Sequence, residues 1–162
     1  MTNMVFRSLW LTGLVFIMFA GGVAAQSASD IGVSGSITPK KINKGRVARA
    51  LITLNIPSGL HVQSSRPLDK FLVATKLVVE PPSGIQIGTV SYPAGVMRTL
   101  NFSKKPVSVY EGRAMLRFDV TVPPNYSGGS VQIRARLTYE ACTSDSCFPP
   151  TTRDVQIALT VQ

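Results

Sequence analysis

Apolar and polar residues alternate along most of this chain. From Ala48 to Ile56 the even positions are apolar and the odd ones mostly polar. From Ala114 to Val122 one face carries Ala114, Leu116, Phe118, Val120 and Val122, while Arg113, Arg117 and Asp119 fall on the other. The pattern returns in Val131 to Ala141, where the odd positions are apolar, and again in Val155, Ile157, Leu159 and Val161. A period of two over this many segments predicts strands with one buried and one wet face, as antiparallel sheets provide. Less regular strands are expected over Ile31 to Ile37, Phe71 to Val79, Ile85 to Tyr92 and Val107 to Tyr110. Turn clusters such as Pro57-Ser58-Gly59, Pro81-Pro82-Ser83-Gly84 and Ser127-Gly128-Gly129 separate them. Seven to nine short strands with turns at this spacing predict an all-β, immunoglobulin-like antiparallel sandwich. Helical periodicity, internal repeats and a second domain are not visible.

The N-terminus breaks the alternation. Arg7 precedes an apolar run from Leu9 to Ala20, and Gly22-Val23-Ala24-Ala25 then supplies small residues. This predicts a signal peptide over residues 1–25, cleaved after Ala25. Leu9 to Ala25 is 17 residues, short of the ~20 that a spanning helix needs, so no stable membrane insertion is expected after cleavage. Residues 26–162 then form one domain, large enough for a real core. The chain has 17 Lys and Arg against 8 Asp and Glu, a net charge of +9. Because no basic run exceeds two residues and no aromatic-interleaved basic motif occurs, the excess reads as a solvated surface rather than a nucleic-acid site.

Most catalytic schemes fail for lack of parts. His61 is the sole histidine and there are two cysteines, so zinc spacing is absent. What remains is Cys142-Thr-Ser-Asp-Ser-Cys147, and an export pathway lets these cysteines pair. A six-residue loop is a poor place for a staple. It gains roughly 2 kcal/mol in the chain-entropy model, against about 4.7 for a 100-residue loop. Extending the Val131–Ala141 alternation puts Cys142 on the polar face with Arg134 and Arg136, where a disulfide would be open to exchange. From the residues alone, a redox pair and a structural staple stand about equal. A two-thiol carrier for a soft metal ion is a minor third reading.

The run Tyr139-Glu-Ala-Cys142-Thr-Ser-Asp-Ser-Cys147-Phe-Pro149-Pro150 resembles the active-site hairpin of the N-terminal periplasmic domain of the thiol:disulfide interchange protein DsbD. Gly59-Leu-His-Val-Gln-Ser-Ser-Arg-Pro-Leu, Tyr92-Pro93-Ala-Gly95 and Val109-Tyr110-Glu-Gly112 are similar to further parts of that domain, in the same order. The resemblance implies a periplasmic immunoglobulin-like domain without metal or organic cofactor. It would take electrons from a membrane-embedded thiol:disulfide transporter and pass them to thioredoxin-like periplasmic proteins through Cys142 and Cys147. Cys147 would be the exchanging cysteine and Cys142 the resolving one.

The resemblance also places Phe102 on a cap loop over the cysteines, and His61 and Tyr139 at the lining of the site. His61 and Gln63 stand where better-known members carry tyrosines. Leu100 and Asn101 stand where those members carry acidic residues, so tuning of the thiols by carboxylates from that loop is not expected. Asp145 would oppose thiolate formation and Arg153 would favour it. Since the chain stops at Gln162, the domain is expected to be free-standing and to meet its donor by diffusion. The competing expectation is a non-enzymatic immunoglobulin-like interaction module with a structural disulfide.

Overall fold

The computed structural model describes residues 27–162. The expected signal peptide lies outside the described residues. No helix among them is long and apolar enough to cross a membrane.

Alternation becomes strand wherever the sequence shows it clearly. The long strands are β1 (Gly32–Thr38), β3 (Val47–Asn55), β9 (Arg113–Thr121), β10 (Ser130–Tyr139) and β12 (Thr151–Val161). Between them lie β2 (Lys41–Ile42), β4 (His61–Gln63), β5 (Lys76–Glu80), β6 (Gln86–Ile87), β7 (Val96–Arg98), β8 (Val107–Tyr110) and β11 (Ala141–Cys142). They form three sheets of four strands, ordered β1-β3-β9-β6, β2-β12-β10-β5 and β11-β4-β8-β7. Apart from the parallel β12–β2 pair, the pairings are antiparallel.

The first two sheets are the layers of an immunoglobulin-like sandwich. Even positions of β3 and β9, including Ile52, Leu54, Leu116 and Phe118, meet the odd positions of β10 and β12, including Ile133, Leu137, Ile157 and Leu159, in one buried core. Burying each such side chain stabilises the fold by about 1.5–3 kcal/mol. The two layers close tightly at one edge. A Cβ at Gly35 of β1 would come within 2.6 Å of Val155 Cγ1 and 2.8 Å of Ile157 Cγ1, so only glycine lets β1 lie over β12.

The third sheet is made where strands of the main layers continue past their partners. β4 follows β3 through a turn at Gly59, whose φ of 84° suits glycine. β8 runs into β9 through Gly112, at φ 60°. β11 follows β10 after a break at Glu140. This small sheet carries Cys142, and Cys147 pairs with it across an isolated bridge.

Two expected strands are shorter than their apolar content suggested. Over Phe71 to Val79 only the part from Lys76 is strand. The part before it turns, with the Phe71 N–H donating to Asp69 Oδ1 (3.0 Å) and Leu72 N–H to the Asp69 carbonyl (3.2 Å). Over Ile85 to Tyr92 only Gln86–Ile87 forms a strand, with an isolated bridge from Ser91 to Arg117.

Candidate functional site

The cysteines sit on a hairpin. Cys142 and Cys147 are antiparallel bridge partners joined by a disulfide, with Cα atoms 3.9 Å apart. The loop between them holds itself together: Thr143 N–H donates to the Ser146 carbonyl (2.8 Å), and the Asp145 and Ser146 N–H groups donate to Thr143 Oγ1. Phe148 N–H returns to the Ala141 carbonyl at 2.8 Å. Pro149 and Pro150 then separate the hairpin from β12, which begins at Thr151.

The expected exposure of Cys142 is corrected by the structure: Cys142 is 0% exposed. The alternation that predicted a polar face holds only while the chain stays in the β10 ladder, which ends at Tyr139. At Glu140 the chain leaves that ladder, and Ala141 and Cys142 pair instead with Val62 and His61 of β4. Both faces of β11 are covered, so Ala141 and Cys142 are buried together. Cys147, by contrast, is partly exposed. The disulfide has one sealed sulfur and one nearer the surface.

Register shows what surrounds the sealed sulfur. Residues opposite one another in an antiparallel ladder share a face. Cys142 faces the same way as His61, then Gln63 two residues on, then Val109 opposite Gln63. Val62, Tyr110 and Ala141 point the other way, into the main core. The cysteine-bearing face is roofed by a second apolar cluster in which Leu100, Val107 and Val109 are buried and Leu72 and Phe102 pack against them.

Gln63 is buried, and its Nε2–H donates to Cys142 Sγ at 3.4 Å. Its Oε1 is buried without a hydrogen-bond partner among the described residues. His61 is engaged sideways: its Nδ1 lies 2.8 Å from Glu111 Oε1, and a carboxylate can only accept. Arg98 forks onto the same carboxylate, Nε to Oε1 at 2.8 Å and Nη2 to Oε2 at 2.7 Å. That guanidinium, with a smaller contribution from His61, holds the Glu111 carboxyl below the usual range against the opposing effect of burial.

The loop bearing Phe102 is tied to the hairpin. Asn101 N–H donates to the Ser144 carbonyl (2.7 Å), and Asn101 Nδ2 donates to Asp145 Oδ1 (2.7 Å). The polar pair Asn101/Asp145 thus joins the loop and hairpin where an acidic residue at 101 would repel Asp145. Phe102 itself is half-buried on the roof cluster. Tyr139 lies elsewhere, fully buried in the inter-sheet core, with its hydroxyl donating to the Ala28 carbonyl at 3.3 Å. Burial pushes its phenol above the usual value, and the charge of Arg153 opposes this.

Sequence reasoning passed over Glu140. As an even residue after Tyr139 it fits the solvent-facing set of β10, so its pattern gave no sign of burial. It is 8% exposed. Its Oε2 accepts the Val73 N–H (2.9 Å) and its carbonyl accepts the Gln63 N–H (2.9 Å). A carboxylate oxygen of Glu140 and the two sulfurs all lie within 4.8 Å of one another, which also makes them the one group of possible metal ligands among the described residues.

Among solved structures, the chain is similar to the N-terminal periplasmic domain of ScsB from Proteus mirabilis. The two are 13% identical with a TM-score of 0.45, over 70% of this chain and 42% of that one. It is also similar to a non-cellulosomal cohesin from Archaeoglobus fulgidus, at 7% identity and a TM-score of 0.39 over 82% of this chain and 89% of that one. The chain thus spans less than half of the ScsB chain it matches. No curated protein matches the sequence. The family model described as thiol:disulfide interchange protein DsbD, N-terminal, matches residues 35–159, most of the chain and all of the cysteine hairpin. The chain belongs to the family of the DsbD N-terminal domain.

Proposed function

We propose that this domain is a periplasmic thiol–disulfide exchanger that cycles Cys142 and Cys147 between disulfide and dithiol. The observation that carries the reading is the asymmetry of the pair in a domain of this family: Cys142 is sealed and Cys147 partly exposed. Exchange requires one sulfur that a partner thiolate can reach and a second one held next to it. Residues 1–25 act as the export signal, and residues 26–162 are the working domain.

In the reducing half-cycle, a thiolate of a membrane-embedded thiol:disulfide transporter attacks Cys147 Sγ. The Cys142–Cys147 bond breaks, and a second thiol of the donor resolves the mixed disulfide to leave the dithiol. In the delivering half-cycle, the Cys147 thiolate attacks the disulfide of a thioredoxin-like protein. Cys142 then attacks Cys147 Sγ, re-forms the internal disulfide and releases the partner reduced. Two electrons move in each half-cycle, with no metal or organic cofactor. Phe102 limits access to the pair between encounters, and Gln63 Nε2–H steadies charge on the Cys142 sulfur. His61 borders the site from the adjoining strand, while Tyr139 serves the inter-sheet core.

The test is the equilibrium of the purified domain with glutathione redox buffers. An exchanging pair is expected above about −300 mV, and a structural disulfide below it. A value well below that boundary would favour an interaction module with a structural bridge.

A further inference from the structure

Opening the disulfide creates a proton problem at Cys142, whose sulfur has no access to water in this structure. To resolve a mixed disulfide, the Cys142 thiol must lose its proton. To leave as Cys147 is attacked, its thiolate must later gain one. The sealed thiol has no water to hand its proton to, so the proton needs an acceptor supplied by the protein. We infer that Glu140 is that acceptor, an assignment that rests on the exchange reading proposed above.

Three observations converge on Glu140. Its carboxylate lies within 4.8 Å of both sulfurs, so once the S–S bond opens and the sulfurs separate, Cys142 comes within reach of it. It is nearly buried and fixed at both ends, by the Val73 N–H on its side chain and the Gln63 N–H on its carbonyl. A carboxylate has about four acceptor positions, and Val73 uses one. Finally, Gln63 Nε2–H already points at Cys142 Sγ, where it favours the negative charge left by proton removal. Asp145, the other carboxylate on the hairpin, is exposed and bonded to Asn101. Glu111 is taken by Arg98 and His61.

Glu140 carboxylate takes the proton of Cys142–SH, giving the carboxylic acid and the Cys142 thiolate. The thiolate attacks Cys147 Sγ of the mixed disulfide, forming the Cys142–Cys147 bond and expelling the partner as a thiolate. In the reverse direction Cys142 leaves as thiolate and recovers the proton from the Glu140 acid. Glu140 is thereby a catalytic acid–base group acting on a reacting sulfur.

Ellman's reagent separates the relevant step. With the reduced domain, Cys147 releases one thionitrobenzoate as it forms the mixed disulfide, and Cys142 releases the second as it closes the bridge. Glu140→Gln keeps an acceptor for the Val73 N–H but cannot take a proton. It is expected to release the first equivalent at a rate within about twofold of the parent and the second about 10²-fold more slowly. Glu140→Asp keeps the carboxylate but, being shorter, strains the bond to Val73, and it is expected to close faster than Glu140→Gln. A second release equally fast in Glu140→Gln and the parent, or slower in Glu140→Asp than in Glu140→Gln, would overturn the assignment in favour of a structural role. If the parent never releases a second equivalent, the exchange reading itself fails and the Glu140 role fails with it.

Discussion

Reducing the Cys142–Cys147 bond is expected to leave the fold intact. The closed loop is six residues, with a sequence separation of 5. Its closure stabilises the native state by about 2 kcal/mol in the chain-entropy model. One buried side chain such as Leu137 or Ile52, each 0% exposed, contributes a comparable amount. The hairpin also keeps hydrogen bonds that do not depend on sulfur: Thr143 to Ser146, Phe148 to Ala141, and Asn101 to Ser144. For a domain of this size each kcal/mol moves Tm by roughly 3–5 °C, so reduction should lower Tm by about 6–10 °C while the transition stays cooperative. Calorimetry with and without a phosphine reductant measures this directly. A Cys142→Ala/Cys147→Ser variant supports it, since alanine avoids a buried hydroxyl at position 142 and serine suits the more exposed position 147. A loss of about 4 kcal/mol or more, or a broad non-cooperative melt, would make the bridge a structural staple.

Phe102→Ala should speed alkylation of the reduced thiols and cost roughly 1 kcal/mol of stability, because the ring is only half-buried on Leu100, Val107 and Val109. Unchanged alkylation with a larger stability loss would make Phe102 an ordinary packing residue. Arg98→Ala tests the charge cluster beside β4. Arg98, the largest cause, lowers the folded-state value of Glu111. A lowered carboxyl stabilises the fold above the unfolded glutamate value of about 4.3, and that stabilisation is lost as pH falls through the lower folded value. Urea unfolding should show the parent more stable than Arg98→Ala near neutral pH, with the two converging below about pH 4. A difference that persists unchanged into acid would assign the effect to packing of the arginine stem.

Fold and site differed in how far the sequence displayed them. β3, β9, β10 and β12 could be read because one face of each is packed in the sandwich and the other is largely wet, so burial prints a period of two. β2, β4, β7 and β11 are two or three residues long and print no period at all. The site is made largely from such pieces. Cys142 was misplaced because an alternation carries across a change of sheet only if the chain keeps its partners, and at Glu140 it exchanges β5 and β12 for β4. Glu140 went unseen for the same reason: its parity belongs to the strand it leaves. The cysteine pair itself was visible, since a lone short-loop disulfide in a domain able to fold without it is hard to explain by stability. Tyr139 and Cys142 are near neighbours in sequence, yet one faces the inter-sheet core and the other the roofed side of the small sheet.

In the proposed exchange Cys147 meets the partner and Cys142 resolves, and covalent trapping distinguishes these two roles. Removing the resolving thiol blocks forward release of the reduced partner and leaves reversal by the partner's own second thiol as the one internal exit. Incubated with the oxidised form of a thioredoxin-like protein bearing a Cys-x-x-Cys site, the reduced Cys142→Ser domain should accumulate a covalent adduct that a reductant dissolves, and the Cys147→Ser domain should not. Adducts formed only by Cys147→Ser would reverse the two roles, and adducts formed by neither variant would remove the exchange function.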